Sequence, residues 1–139
     1  MKAEELMVGF WVRCTDPKPF RIREVDGVEE QVYGCDGFFV DISDLEPIPL
    51  TAEILEKNGF EKITNEGDVS AARFGRTPKP TGVWQFGFGQ FNSVAYVPER
   101  NFLRIKFMEG CTADIDDIKY VHELQHALRL FKVNKEIEL

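Results

Sequence analysis

The sequence has few of the residues that build disulfide frameworks and metal clusters. Its 139 residues include three cysteines and two histidines. Cys14, Cys35 and Cys111 stand far apart, and none belongs to a Cys-x-x-Cys pair. Neither a disulfide framework nor a thiolate zinc site is therefore indicated. We expect three free thiols that are buried as small apolar side chains.

Long apolar stretches are also missing. No run approaches the roughly 18 residues that a membrane-spanning helix needs. The opening residues Met1 to Leu6 lack the basic start and the apolar stretch of a secretory signal. We therefore expect a cytoplasmic protein with no membrane partner. The length fits one domain, or two very small domains that share a core.

Basic residues are scarce in the first half of the chain. Residues 1–70 hold 7 Lys and Arg against 16 Asp and Glu, a net charge of −9, whereas residues 71–139 hold 10 against 8, a net charge of +2. Phosphates would be repelled by the acidic half. This argues against non-specific binding of nucleic acid or of membrane surfaces by residues 1–70.

Residues 1–50 are predicted to form a small, curled antiparallel β-barrel, SH3-like in size. Strands are expected at residues 6–14, 20–25, 28–33 and 38–42, and Asp26-Gly27 marks a tight hairpin turn. Pro47 and Pro49 exclude a helix or a central strand, so residues 45–50 are interpreted as an extended connector.

Residues 51–139 are predicted to form a second unit with a short helix, an antiparallel sheet and a long C-terminal helix. Thr51 is a candidate N-cap for a helix over 52–58, which Asn58-Gly59 would end. Apolar segments predict strands at 60–63, 69–74, 83–88, 94–97 and 102–107, and residues 136–139 could add an edge strand. The whole chain is therefore predicted to be an α+β protein.

The last helix is predicted over residues 114–131 and carries one apolar arc. That arc consists of Tyr120, Val121, Leu124, Leu128 and Phe131. We expect it to lie across the second sheet. His122, His126 and Arg129 fall on the opposite side and are expected to face solvent.

The same helix contains the string His-Glu-Leu-Gln-His at residues 122–126. Histidines four residues apart lie on one helical face, where both imidazoles can bind one Zn²⁺. The glutamate after the first histidine can take a proton from metal-bound water. The pattern therefore favours a minimal zinc-dependent hydrolase with His122, Glu123 and His126 at its centre.

A catalytic zinc ion needs a third protein ligand, which the sequence does not supply in the usual place. Arg129 and Lys132 occupy the positions where an extended zinc motif has glycine and histidine, and no third histidine exists. Glu136 or Glu138 could serve only if the tail doubled back. The zinc hydrolase therefore stays an alternative, and no catalytic or cofactor-binding residue is assigned.

Three segments together resemble a family of small proteins of unknown function from gut Bacteroidetes, their phages and mobile elements. Residues 4–12 are similar to the family's opening Gly-x-Trp-Val pattern, residues 45–60 to its central Pro-Ile-Pro-Leu-Thr segment, and residues 118–126 to its closing Tyr-Val-His-x-Leu-Gln pattern. The family commonly has Gln and Asn where this chain has Glu123 and His126. The resemblance implies a phage-related protein and carries no activity.

The region 73–106 combines basic and aromatic residues, which favours a single-stranded nucleic-acid binder as a further alternative. Its basic members are Arg73, Arg76, Lys79, Arg100, Arg104 and Lys106, interleaved with Trp84, Phe86, Phe88, Phe91 and Tyr96. The acidic balance of the whole chain disfavours this alternative.

Our main hypothesis is a non-enzymatic accessory or interaction module for a protein partner, with the 75–82 loop and the sheet edges as candidate surfaces.

Overall fold

The computed structural model describes residues 1–15, 18–35, 37–63, 82–89, 92–107 and 110–139. The fold is α+β, with two antiparallel sheets and a C-terminal helix. The chain divides into two compact units: the first comprises residues 1–50 and 120–137, and the second comprises residues 51–119 and 138–139. Within the described ranges, no helix has the length and apolar character to cross a membrane.

The first unit is built on a curled four-stranded sheet with antiparallel neighbours in the order β1-β2-β3-β4. The strands are β1 (Trp11–Val12), β2 (Phe20–Asp26), β3 (Gln31–Gly34) and β4 (Phe39–Asp41), with 3-10 turns at Ala3–Glu5 and Ile42–Asp44. The turn predicted at Asp26-Gly27 is confirmed, because Asp26 Oδ1 accepts the N–H groups of Val28 and Glu29. Leu6, Phe10, Val12, Ile22, Val32, Ile42 and Leu45 form the core.

The second unit contains a short helix and a five-stranded antiparallel sheet in the order β5-β6-β7-β8-β9. Its elements are α1 (Ala52–Lys57), β5 (Glu61–Ile63), β6 (Val83–Phe88), β7 (Asn92–Val97), β8 (Phe102–Lys106) and β9 (Thr112–Ile115). Thr51 caps α1 as expected, since its Oγ1 accepts the Ile54 N–H at 3.4 Å. Leu103 and Ile105 are buried, as the alternation of β8 predicts. The strand expected at 69–74 lies outside the described residues.

The long helix begins later than the sequence indicates. Helix α2 spans Val121–Leu130, whereas residues 112–115 form β9 and pair with β8. The prediction of a helical start at Asp114 is wrong because Asp114 lies opposite Arg104 in this ladder and binds its guanidinium. Asp117 then adopts a left-handed φ of 62°, which no helix interior accepts.

Helix α2 is grouped with the first unit, whereas the predicted second unit of residues 51–139 included it. Gln125, inside the buried arc, is 4% exposed. Its Oε1 accepts the Trp11 N–H at 3.0 Å, and its Nε2 donates to the Gly9 carbonyl at 3.3 Å. A buried amide needs such partners, and the backbone beside β1 supplies them.

The C-terminal tail forms no strand within the described residues, in contrast to the edge strand considered for 136–139. In the first unit, Trp11 Nε1 donates to the Ile137 carbonyl at 2.8 Å. In the second unit, the buried Asn58 side chain exchanges two hydrogen bonds with the backbone of Glu138. Single side chains therefore take over the bonds that a strand partner would make.

The three thiols are free, but the expectation that they are buried is wrong. Cys35 and Cys111 are exposed, and Cys14 is half-buried. Cys35 lies in a turn and Cys111 precedes β9, so neither has a sheet face to pack against. None of the three contributes to the core.

Replacing Gln125 should lower the stability of the first unit sharply. Gln125→Ala removes two hydrogen bonds, leaves the Trp11 N–H without its side-chain acceptor and leaves the Gly9 carbonyl with Arg21 as its donor, which should cost about 2 kcal/mol in the free energy of unfolding. Urea denaturation measures this loss. The control Gln31→Ala breaks only an exposed bond to Asp41 and should cost about 0.5 kcal/mol or less. Equal losses in the two variants would contradict the role of Gln125.

Candidate functional site

A cavity of about 500 Å³ lies in the first unit, where helix α2 begins. The Val121 N–H donates to the Ile48 carbonyl at 2.9 Å, which holds the proline-containing connector against the helix start. Such a volume is large enough for a small ligand or a long side chain. The cavity is lined by Met1, Glu4, Glu5, Pro47, Tyr120, His122, Glu123 and His126.

His122 lies in the wall of this cavity and is only 6% exposed. Its imidazole stacks on the Tyr120 ring, with centroids 5.8 Å apart and planes at 12°, and Phe10 lies at 6.3 Å. Its Nδ1 is buried and finds no hydrogen-bond partner in the described part of the chain. The predicted solvent exposure is wrong for His122, because the two rings cover it, whereas His126 is exposed as expected.

Burial lowers the pKa of His122 below its ordinary value of 6.5. The carboxylates of Glu123 and Glu5 oppose this effect, whereas His126 and the N-terminal ammonium group of Met1 add to it. The burial effect is the largest of these influences. The imidazole is therefore neutral near pH 7, with one nitrogen able to accept a hydrogen bond.

Glu123 takes part in capping the helix. Its Oε2 accepts the Tyr120 N–H at 3.0 Å, which satisfies a backbone donor at the start of α2. The carboxylate that a zinc peptidase uses to activate water therefore has a structural partner in this protein. The same side chain also lines the cavity and adds negative charge there.

A zinc site at this cavity would have two imidazoles, those of His122 and His126, in one wall. A third ligand is still needed. Across the described ranges, no group of three or more His, Cys, Asp and Glu side chains is placed to hold a metal ion. Glu136, considered as a third ligand, instead binds Arg21 at 2.8 Å. Zinc binding by His122 and His126 stays a prediction.

Some basic and aromatic side chains of the second unit already have contacts within that unit. Arg104 makes two hydrogen bonds to Asp114, at 2.7 and 2.8 Å, which raise the pKa of Arg104 and lower that of Asp114. The rings of Phe60 and Phe86 lie 5.5 Å apart. A guanidinium that is paired with a carboxylate is less available to a phosphate group. Binding of single-stranded nucleic acid stays a prediction, and Arg73, Arg76, Lys79, Phe91 and most of the 75–82 loop lie outside the described residues.

Comparison of the chain with protein-family models, curated proteins and solved structures finds no match. The cavity must therefore be interpreted from its own chemistry. The sequence motif marks His122, Glu123 and His126 but not Glu4 and Glu5, which reach the same cavity from the 3-10 turn at Ala3–Glu5. Two adjacent glutamates near an end of the chain carry no local signal that they face a histidine.

Acidification should destabilise the protein through His122. Because its pKa is lowered in the folded state, the unfolded chain takes up the proton first as the pH falls below about 6.5. The free energy of unfolding should therefore be lower at about pH 5.5 than at about pH 7.5. Urea denaturation at both pH values measures the difference, which His122→Phe should reduce. The exposed control His126→Asn should keep most of it, because burial lowers the pKa of His122 more than His126 does. A pH dependence that His122→Phe leaves unchanged would contradict this assignment.

Proposed function

We propose that this chain is a non-enzymatic interaction module of phage or mobile-element origin. It acts in the cytoplasm, and the curled sheet of its first unit is an SH3-like scaffold. Its cavity binds a lysine or arginine side chain from a basic segment of a protein partner. The observation that carries the proposal is the set of three carboxylates, Glu4, Glu5 and Glu123, around the stacked rings of Tyr120 and His122.

Charge complementarity supports a cationic ligand. The first unit holds 8 Lys and Arg against 13 Asp and Glu, a net charge of −5. Glu4 and Glu5 are exposed at the cavity and can pair with a cation that enters from solvent. A guanidinium group can bind a carboxylate and stack on an aromatic face at the same time, so arginine fits this lining well.

The geometry of His122 and Glu123 supports binding rather than catalysis. A nucleophile or a general base needs a hydrogen-bonded partner that orients it. The Nδ1 of His122 has no such partner among the residues described, and Glu123 bonds to the helix backbone. A neutral, ring-stacked imidazole beside carboxylates is well suited to contact a planar cation.

Arginine itself provides a direct test. N-acetylarginine amide should shift the imidazole C–H resonances of His122 and His126 in proton NMR titrations, and N-acetylcitrulline amide, its neutral analogue, should not. The chain has only these two histidines, so the signals are easily assigned with single variants. Glu5→Gln should weaken arginine binding about three-fold, because one exposed ion pair is lost.

The matched control is Glu29→Gln, an exposed glutamate in the turn after β2, which should leave arginine binding unchanged. Equal responses to arginine and citrulline would contradict the charge-based proposal. So would an arginine affinity that Glu4→Gln and Glu5→Gln together fail to lower.

The minimal zinc hydrolase remains a second candidate because two imidazoles line one cavity wall. It requires stoichiometric zinc in protein purified without added metal, and loss of that zinc in His126→Asn. Under our main proposal we expect far less than one zinc per chain by elemental analysis. Stoichiometric zinc together with zinc-dependent hydrolysis of a peptide substrate would replace the interaction module by the enzyme.

A further inference from the structure

The outer face of strands β2, β3 and β4 carries two rows of acidic and aromatic side chains, next to the exposed Arg23 of the β2 bulge. The register places Glu24, Tyr33 and Phe39 side by side in one row. The next row on the same face consists of Asp26, Gln31 and Asp41. The row between them, Val25, Val32 and Val40, points to the core side, where Val32 is fully buried. The two outer rows thus contain three carboxylates and no lysine or arginine.

A β-bulge brings Glu24 to this face. The register of β2 shifts between Ile22 and Glu24. Ile22 is in the core, and without the shift Glu24, two residues later, would point the same way. The bulge therefore turns a carboxylate out of the core and places it beside Tyr33.

Strand β4 forms one edge of the sheet. Its Phe39 is 60% exposed and contacts Tyr33, with ring centroids 6.1 Å apart. Within the described ranges no strand pairs with the other side of β4. The backbone N–H and C=O groups along an edge strand are a template for an added strand, and the exposed Phe39 ring offers a side-chain contact beside them.

We infer that the β4 edge binds an extended segment of a partner protein with lysine or arginine at alternate positions. An added strand would continue the rows of the sheet. Side chains at positions i and i+2 of the segment would lie beside Phe39 and Asp41, where a cation gains a ring face and a carboxylate. The residue between them would lie beside Val40 and should be apolar.

This inference shares with the proposed function only the assignment of a basic protein partner to the first unit. It uses none of the residues that line the cavity. The carboxylate of Asp41 also accepts a hydrogen bond from Gln31 at 3.0 Å, which holds it at the edge beside Phe39. The surface and the cavity can therefore be tested separately.

Two lysine-valine peptides of equal composition test the edge. One alternates lysine and valine, and the other groups its lysines together. Fluorescence anisotropy should show tighter binding of the alternating peptide, and Phe39→Ser should weaken that binding about three-fold. Val28→Ser, a control at a 91% exposed apolar residue in the nearby turn, should leave the Kd unchanged. Amide hydrogen exchange at residues 39–41 should slow when the alternating peptide binds.

Equal affinity for both peptides, or a Kd that Phe39→Ser does not change, would overturn the edge site. If Glu5→Gln weakens binding and Phe39→Ser does not, the cavity of the proposed function stands and the edge site fails. If Phe39→Ser alone weakens binding, the edge site stands without the cavity. Binding of neither peptide to the intact protein at low salt would contradict the edge site.

Discussion

The first unit depends on the side-chain amide of Gln125, which acts as a peptide group at the edge of β1. Its Oε1 accepts the Trp11 N–H and its Nε2 donates to the Gly9 carbonyl, so it pairs with the backbone as a neighbouring strand would. A side-chain amide carries both the donor and the acceptor that this arrangement needs. Arg129, one turn further, donates to the Val8 carbonyl at 2.6 Å and stacks over Phe10. These bonds fix both the position and the rotation of helix α2.

Once the helix is fixed, the chemistry of the cavity follows. The same rotation that directs Gln125 to β1 places His122 beside Phe10, where burial keeps the imidazole neutral. Glu123 caps the helix and adds its charge to the cavity wall. Two residues of the string His-Glu-x-x-His therefore have structural roles here: His122 packs against Phe10, and Glu123 caps the helix. Interpreting it as a zinc motif requires a third ligand, which no neighbour in the described ranges supplies.

Elements that depend on local chemistry were predictable from the sequence. Helix α1 follows from the Thr51 cap, and β8 follows from its alternation. The start of α2 was not predictable, because Asp114 pairs with Arg104 in a strand ladder instead of beginning the helix. The burial of His122 was not predictable either, because it depends on contact with Phe10. Such partners are distant in sequence, and a polar residue has no local sign of its partner. The candidate cavity was therefore located by its histidines alone, without its glutamates.

Three residues far apart in the sequence build the joint between β1 and α2. Gly9 and Trp11 come from the first segment of the chain and Gln125 from the last helix, and their hydrogen bonds hold the two together. The same two segments line the cavity, which therefore forms only when the joint is made. In contrast, Glu24, Phe39 and Asp41 take no part in the joint. The outward side chains of the edge strand can therefore change without disturbing the hydrogen bonds that fix helix α2.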